Sequence, residues 1–358
     1  MFLMPEERVT DSNPMAGPQQ ARPAAGIARA LWFTAARTAE ILEQPVTPPG
    51  PGQVMVRAIV SLVSSGTELL IYRGEGAGEL GLETCEGSFK FPVKYAYQVV
   101  GEVVAAGPGS SYAPGQIVFA RHPHQSLFTM NSESALITGV PHEMDPDRAV
   151  FVNLTAVALT TQLDVPVRFG DCVVVFGQGT VGSLAAQLAR RTAGTVVAVD
   201  PLPGRRERAL SWGADLAVAP DDAAEAVAAA SSGRGADIAI EASGTGAALQ
   251  AAINVTGQEG TIVAVSFFGN KVIPLVLAPE FHYRRQRIIS SQVSTLGAGL
   301  QPRWSLGRRD RVAFSLLAED WLQTPVTHRL PFAAAPEAYR LLDRHPDEAI
   351  GVLLDYRE

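Results

Sequence analysis

Apolar residues follow two rhythms along this chain. From Ala30 to about Ala120, β-branched runs such as VMVRAIVSLV (54–63) and YQVVGEVVAAG (97–107) alternate with Pro and Gly clusters such as PPGPGQ (48–53) and GPGS (107–110). That spacing predicts turn-bounded strands in a β-rich, barrel-like domain. From about Asp164 the pattern alternates strand and helix. CVVVFG (172–177) predicts a short buried strand, and TVGSLAAQLARR (180–191) has helical spacing at Val181, Leu184, Ala185 and Leu188. TVVAVD (195–200) predicts the next strand. Helices over 205–212, 221–231 and 246–253 then alternate with strands over 216–218, 237–242 and 261–266, which predicts βαβ units and a parallel sheet. A helix at about 305–322 and the strand IGVLLDY (350–356) bring the chain back to the first domain. Residues 1–26, rich in Pro, Ala, Gln and Gly without an apolar period, read as a flexible arm. The expected fold class is α/β. A β-rich domain over 27–160, completed by 300–358, is interrupted by a doubly wound nucleotide-binding domain over 161–299.

Composition narrows the function classes. With 358 residues, 47% hydrophobic and 18% charged, the chain is large enough for two cores. A net charge of −7 argues against nucleic acid as a partner, which wants a basic face. Arginines cluster at Arg284, Arg285, Arg287 and at Arg308, Arg309, Arg311, either as solvated surface or subunit contact, or as a site for an anionic substrate. The two cysteines, Cys85 and Cys172, make neither a four-thiolate zinc site nor a disulfide framework, so a reducing, cytoplasmic setting is expected. The start, MFLMPEERVT, places acids directly after a very short apolar run, unlike a signal peptide. No stretch approaches the roughly 18 apolar residues of a membrane span.

The chemistry begins at VVVFGQGTVG, where Gly177, Gly179 and Gly182 have G-x-G-x-x-G spacing between a predicted strand and a predicted helix. Gly177 permits the tight turn, Gly179 lets the backbone approach a pyrophosphate, and Gly182 lets helix pack on strand. Thr180 and Val181 open the helix whose N-terminus would face the phosphates. Asp200 ends the next strand, where a carboxylate bonds the adenosine ribose and repels a 2′-phosphate, favouring NAD over NADP. Arg205, also placed at the cofactor site, and Arg206 either weaken that preference or flank the next helix.

The combined motifs resemble the medium-chain dehydrogenase/reductase superfamily: SSGTELLIYRGEG (64–76), the strand ending VVGEV (99–103), PGQIVFA (114–120), AVFVNLTAVAL (149–159), the glycine fingerprint, LSWGAD (210–215) and EASGTG (241–246). FPVKYAY, HPHQ and FHYRRQRIISSQVS are similar to a zinc-free bacterial branch that includes the dehydrogenase of the bacteriochlorophyllide hydroxyethyl group. The resemblance implies a GroES-like catalytic domain and a Rossmann domain. It also implies that zinc-ligand positions are filled by Ser65, by Tyr97 (with Gln98 following) and by Asn153, and that residues 121–148 lack the cysteines of a structural zinc lobe. Neutral oxygens in place of thiolate, imidazole and carboxylate imply no zinc. The family's pyrophosphate-binding Arg falls at Gly351, and the His that usually continues its proton relay falls at Leu70.

Something else must then bond the substrate oxygen. Thr67 matches the relay hydroxyl, or serves as a helix N-cap. Tyr97 donates to a developing alkoxide, with Lys94 depressing its pKa, or plugs the space left by the metal. His122 and His124, two apart in RHPHQ, would point the same way in extended backbone and could act as general acid/base, or with Glu68 as a new metal site. Ser65, Glu68 and Asn153 are the expected substrate-side residues. The leading expectation is a zinc-independent NAD(H)-linked oxidoreductase interconverting a secondary alcohol and a ketone on a small-molecule, biosynthetic substrate. The alternatives are an NAD(P)H-dependent C=C reductase of the enoyl or quinone type, or a non-catalytic dinucleotide-binding protein. A homodimer or homotetramer is expected, joined through the TIVAVS strand and FFGNKVIPLVL.

Overall fold

The computed structural model describes residues 26–75, 83–84, 87–88, 90–269 and 271–357, so the expected N-terminal arm, apart from Gly26, and Cys85 lie outside the described residues. The first domain is built on a seven-stranded sheet. Its order is Val326–Pro331, Gly351–Asp355, Gln53–Val63, Val99–Ala106, Ile117–Ala120 and Ile137–Gly139, and Leu127–Asn131 also pairs with Gln53–Val63. All pairings are antiparallel except that of Val326–Pro331 with Gly351–Asp355. Strand Gln53–Val63 serves two cores. Val54, Val56 and Ala58 pack with Val99, Val103 and Phe128, whereas Val60 and Leu62 join the larger interdomain cluster. Register shifts between Met55 and Val56 and between Ala58 and Val60 let one strand turn from one core to the other. The hairpin of Gly26–Ala35 and Thr38–Val46 lays Leu31 and Phe33 against Tyr72 and Tyr339.

The second domain is a six-stranded parallel sheet in the order Leu216–Val218, Thr195–Val199, Cys172–Phe176, Ala236–Glu241, Thr256–Ala264, Arg287–Ser290. Cys172–Phe176, buried throughout because helices cover both faces, stands where the strand order reverses. Open sheets of this kind bind ligands beyond the strand ends at that reversal, which is where Gly177 begins. The sequence placed a subunit edge at the 261–266 strand, but that strand lies inside the sheet. The edge is Arg287–Ser290, whose charged flank hid it from a reading based on apolar runs.

The helix Val152–Asp164 joins the two domains and packs against Thr180–Ala189 and Leu306–Leu317. Its polar Thr160 and Thr161 can be buried because their hydroxyls donate to Ala156 O and Ala158 O one turn back. A continuous apolar cluster therefore runs from Val60, Leu62 and Val100 of the first sheet to Val173, Val175 and Val263 of the second.

Candidate active site

At the end of Cys172–Phe176 the chain turns through Gly177, which adopts φ +89°. A Cβ on Gly177 would lie 2.9 Å from Ser243 Cα, and one on Gly182 would lie 1.7 Å from Gly177 O, so neither tolerates a side chain. A Cβ on Gly179 would meet only Arg205 Nη1, at 4.0 Å, which leaves a backbone surface open to approach. Gly179 caps the helix Thr180–Ala189 without a side-chain bond, so its first N–H groups keep capacity for an anion. Thr180 is buried and Val181 partly so.

Asp200 is fixed in this turn. Its Oδ2 accepts from Gln178 N at 2.7 Å and its Oδ1 from Leu202 N at 2.9 Å. The two arginines separate in role. Arg206 donates to the carbonyls of Asp200 and Pro201, both at 2.8 Å, and so closes the strand-to-helix turn. Arg205 lies 3.7 Å from the Asp200 carboxylate and reaches across the domains to donate to Pro346 O at 2.5 Å. Glu241, not singled out from the sequence, ends the neighbouring strand fully buried. Its Oε1 accepts from Ser243 N, Ser243 Oγ and Gly244 N. The run EASGTG was the available signal. At Gly351 a Cβ would sit 2.3 Å from Pro325 O, so the structure admits no arginine there.

The first-domain side of the site centres on Tyr97. The phenol donates to Ser64 Oγ at 2.6 Å and has the Thr67 hydroxyl beside it. Burial, assisted by the charge of Glu68, pushes this phenol up to about 12, and the Ser64 and Thr67 contacts only partly offset that. The expectation that Lys94 depresses it is corrected. Lys94 Nζ donates to Gln125 Oε1 at 3.1 Å and lies over the Trp32 ring, so tertiary packing takes it elsewhere. Thr67 opens the helix Thr67–Tyr72, but Gly66 is the N-cap and no side chain caps it, so the Thr67 hydroxyl is not spent as a cap.

His124 and Glu68 meet, at zero side-chain exposure. His124 Nε2 donates to Glu68 Oε2 at 3.1 Å, and Tyr339 Oη donates to the same oxygen at 2.6 Å. On the other side of the ring, Nδ1 lies 2.7 Å from Ser61 Oγ, and Ser61 is met by Tyr356 Oη at 3.0 Å. This burial runs against the expected substrate-side role of Glu68 and acid/base role of His124, since it removes both side chains from the surface that a substrate would approach. His122 does not accompany its neighbour, because residues 121–124 are not in a strand and the two-residue period fails there. Its ring stacks on Phe128 with centroids 3.8 Å apart, and its Nδ1 sits 2.9 Å from Pro123 O. Ser61, Ser64, Tyr339 and Tyr356 were not found from the sequence.

The donors at the zinc-ligand positions do not fit that metal. Tyr97 keeps its proton, and Ser65 offers only a neutral hydroxyl. Asn153 is buried, and its Oδ1 accepts from Arg121 Nε at 2.9 Å while Arg121 Nη2 pairs with Asp310 at 2.7 Å. Asn153 is thus held by a guanidinium, which engages the oxygen expected to face substrate, and a second cation there would be repelled. His124 and Glu68 gain no third ligand from His122. Among the described residues, the one trio of metal-type ligands within 4.8 Å is the exposed His345, Asp347 and Glu348.

One outcome can be checked directly. Burial drives the His122 imidazole down to about 3, so it stays neutral through the physiological range. Nitrogen NMR of the histidine rings should show His122 unmoved between about pH 8 and 5, and a midpoint near 6.5 would contradict the stacked, half-buried ring. The sign for stability follows: the unfolded ring protonates below 6.5 where the folded one does not, so this histidine lowers stability as pH falls from there towards 3.

Comparison with known proteins places this geometry. The zinc-binding dehydrogenase family profile matches residues 180–305. A D-guloside 3-dehydrogenase of Shigella flexneri is 31% identical over 260 residues, covering 70% of this chain and 74% of that one. The 2-desacetyl-2-hydroxyethyl bacteriochlorophyllide A dehydrogenase of Rhodobacter capsulatus is 26% identical over 328 residues, covering 87% and 93%. Among solved structures, an alcohol dehydrogenase from a Thermus species superposes with a TM-score of 0.75 at 23% identity, covering 91% of this chain and 99% of that one, a likeness of fold. With its GroES-like and Rossmann domains, the chain belongs to the zinc-binding dehydrogenase family of the medium-chain dehydrogenase/reductase superfamily.

Proposed function

We propose that the protein is a zinc-independent, NAD(H)-linked oxidoreductase that interconverts a secondary alcohol and a ketone on a small biosynthetic substrate. The observation that carries this reading is the hydroxyl cluster of Tyr97, Ser64 and Thr67 at the position where relatives of this fold hold a metal. Relatives named for oxidising alcohols, including the guloside and bacteriochlorophyllide dehydrogenases, support the reaction class. When bound, the dinucleotide supplies the hydride acceptor or donor. Gly179 and the N-terminus of Thr180–Ala189 would receive its pyrophosphate, Asp200 its ribose, and Arg205 would flank them. On the substrate side, Tyr97 and Thr67 would bond the oxygen, with the phenol, which keeps its proton to about 12, turning its one O–H from Ser64 to the substrate. A donor aimed at developing negative charge is worth roughly 100- to 1000-fold in turnover. Ser65, also partly exposed, follows Ser64 of the cluster in the chain.

The test is a panel of NAD-linked assays on 2,3-butanediol, sorbitol, L-threonine and methyl D-guloside. Activity should survive chelation, with no stoichiometric zinc by elemental analysis. Tyr97→Phe and Thr67→Val should each lower turnover roughly 100-fold or more with the fold retained. Near-normal turnover in both would remove the cluster from the chemistry. Turnover of an activated C=C substrate but no alcohol would instead favour the enoyl-reductase alternative.

NAD preference is supported by the fixed Asp200 carboxylate and by Arg206 being tied to backbone carbonyls, away from a 2′-phosphate. NADH should bind more tightly than NADPH in a fluorescence titration, and Asp200→Ala should narrow the gap. A wild-type protein that prefers NADPH would mean that Arg205 dominates.

We also read the protein as a homodimer or homotetramer of the cytoplasm, where a buried free Cys172 is stable; no described helix is long and apolar enough to cross a membrane. Edge strand Arg287–Ser290 offers an open ladder among the described residues, with Ile288 within it 37% exposed and Tyr283 just before it 76% exposed. A second copy pairing there would cover them. Light scattering at micromolar concentration should give at least a dimer, and Ile288→Lys should shift it towards monomer.

A further inference from the structure

We propose that Arg205 ties the first domain to the bound dinucleotide: one end of its guanidinium takes a pyrophosphate oxygen while the other keeps the Pro346 carbonyl. The inference rests on the dinucleotide-binding part of the functional reading and adds how the opposite wall of the cleft is held to the cofactor. It does not depend on which substrate is oxidised.

The first observation is place. Helix Pro203–Ser211 starts just beyond Asp200 and carries Arg205 in its first turn. Arg205 Nη1 lies 4.0 Å from where a Cβ on Gly179 would stand, beside the backbone left open for a pyrophosphate, and 3.7 Å from Asp200 Oδ2. Nη2 of the same planar group donates to Pro346 O at 2.5 Å. Pro346 lies between helix Ala335–Arg344 and strand Gly351–Asp355, both of the first domain. One side chain thus runs from the dinucleotide turn to the opposite domain. The second observation is the condition of its donors. Nε is buried with no partner among the described residues, and Nη1 stands from Asp200 at an ion-pair distance, longer than a hydrogen bond. A buried N–H left unbonded is costly, so this fork has capacity for an incoming acceptor. Burial pushes the pKa of the guanidinium down, Arg208 adds to that, and Asp200 and Asp347 oppose it. A phosphate would oppose it further.

The third observation is the chemistry of the first-domain wall. The exposed segment 345–348 presents the Pro346 carbonyl together with the carboxylates of Asp347 and Glu348. Acceptors and anions of this kind repel a phosphate. Gly351, which opens the next strand, cannot supply a cationic side chain, because a Cβ there would meet Pro325 O at 2.3 Å. A cation set between wall and phosphate turns one repulsion into two attractions, and the Arg205 guanidinium already stands in contact with the wall. The rigid fork suits the task, since its N–H groups diverge and can face two partners at once.

Hydrogen–deuterium exchange of the full-length protein reads the tie without turnover. Segment 177–183 reports cofactor occupancy, and segment 345–350 reports the first domain. The Glu348 and Ala349 amides donate to His345 O and the Ile350 amide to Thr327 Oγ1, so rarer opening of this segment slows their exchange. Saturating NADH or ADP should slow exchange in both segments, whereas adenosine, which lacks phosphate, should leave 345–350 unchanged. Arg205→Gln should weaken NADH roughly 10-fold or more in a fluorescence titration. At saturating NADH this variant should keep protection at 177–183 and lose it at 345–350. Arg205→Lys, which keeps the charge without the fork, should recover affinity more than protection, and it keeps the test open if Arg205→Gln fails to fold. Wild-type protection at 345–350 in a folded Arg205→Gln would overturn the proposal, as would protection of that segment by adenosine alone. In the wild-type protein, NADH protecting 177–183 but not 345–350 would sink the tie alone. Protection of neither segment would sink the dinucleotide reading with it.

Discussion

A carboxylate taken wholly out of water must be given partners or a proton, and Glu68 imposes that requirement on the first domain. The chain meets it with segments remote in sequence: the loop carrying His124, strand Gln53–Val63 through Ser61, helix Ala335–Arg344 through Tyr339, and the last residues through Tyr356. Tyr339 also packs edge-on against Phe33 of the N-terminal hairpin, so the polar chain is sealed by an aromatic wall. Removing one partner would strand the others in an apolar shell, which makes the network cooperative.

The two halves of the site were unequally legible in the sequence. The dinucleotide half is local. A strand, three spaced glycines and a helix lie within a few residues of one another, and each glycine answers a steric demand that the structure shows at Gly177 and Gly182. Strand and helix periods located the parallel sheet for the same reason. The hydroxyl half depends on contacts across the fold. Tyr339 lies 271 residues from Glu68, and no local pattern marks it as the donor.

Where local reasoning failed, a neighbour in sequence proved not to be one in space. Lys94, three residues before Tyr97, goes to Gln125 and Trp32, so burial and the charge of Glu68 set the direction of the phenol's shift. His122 and His124 separate because the backbone between them is not a strand. Motif resemblance supplied the positions that correspond to zinc ligands, but the structure supplied what occupies their surroundings.

The guanidinium at Asn153 bears on whether a cation could sit at these positions. Arg121 is anchored on Asn153 at one side and on Asp310 at the other, and Asp310 also pairs with the buried Arg309. Restoring Cys, His and Asp at positions 65, 97 and 153 would not recreate a metal centre, because the new carboxylate would pair with Arg121 before any ion arrived. Accepting a cation at these positions would first require giving up the arginine, and with it a polar link between the Val152–Asp164 and Leu306–Leu317 helices. The donor set at these positions is thus locked by packing, independently of any role in the chemistry.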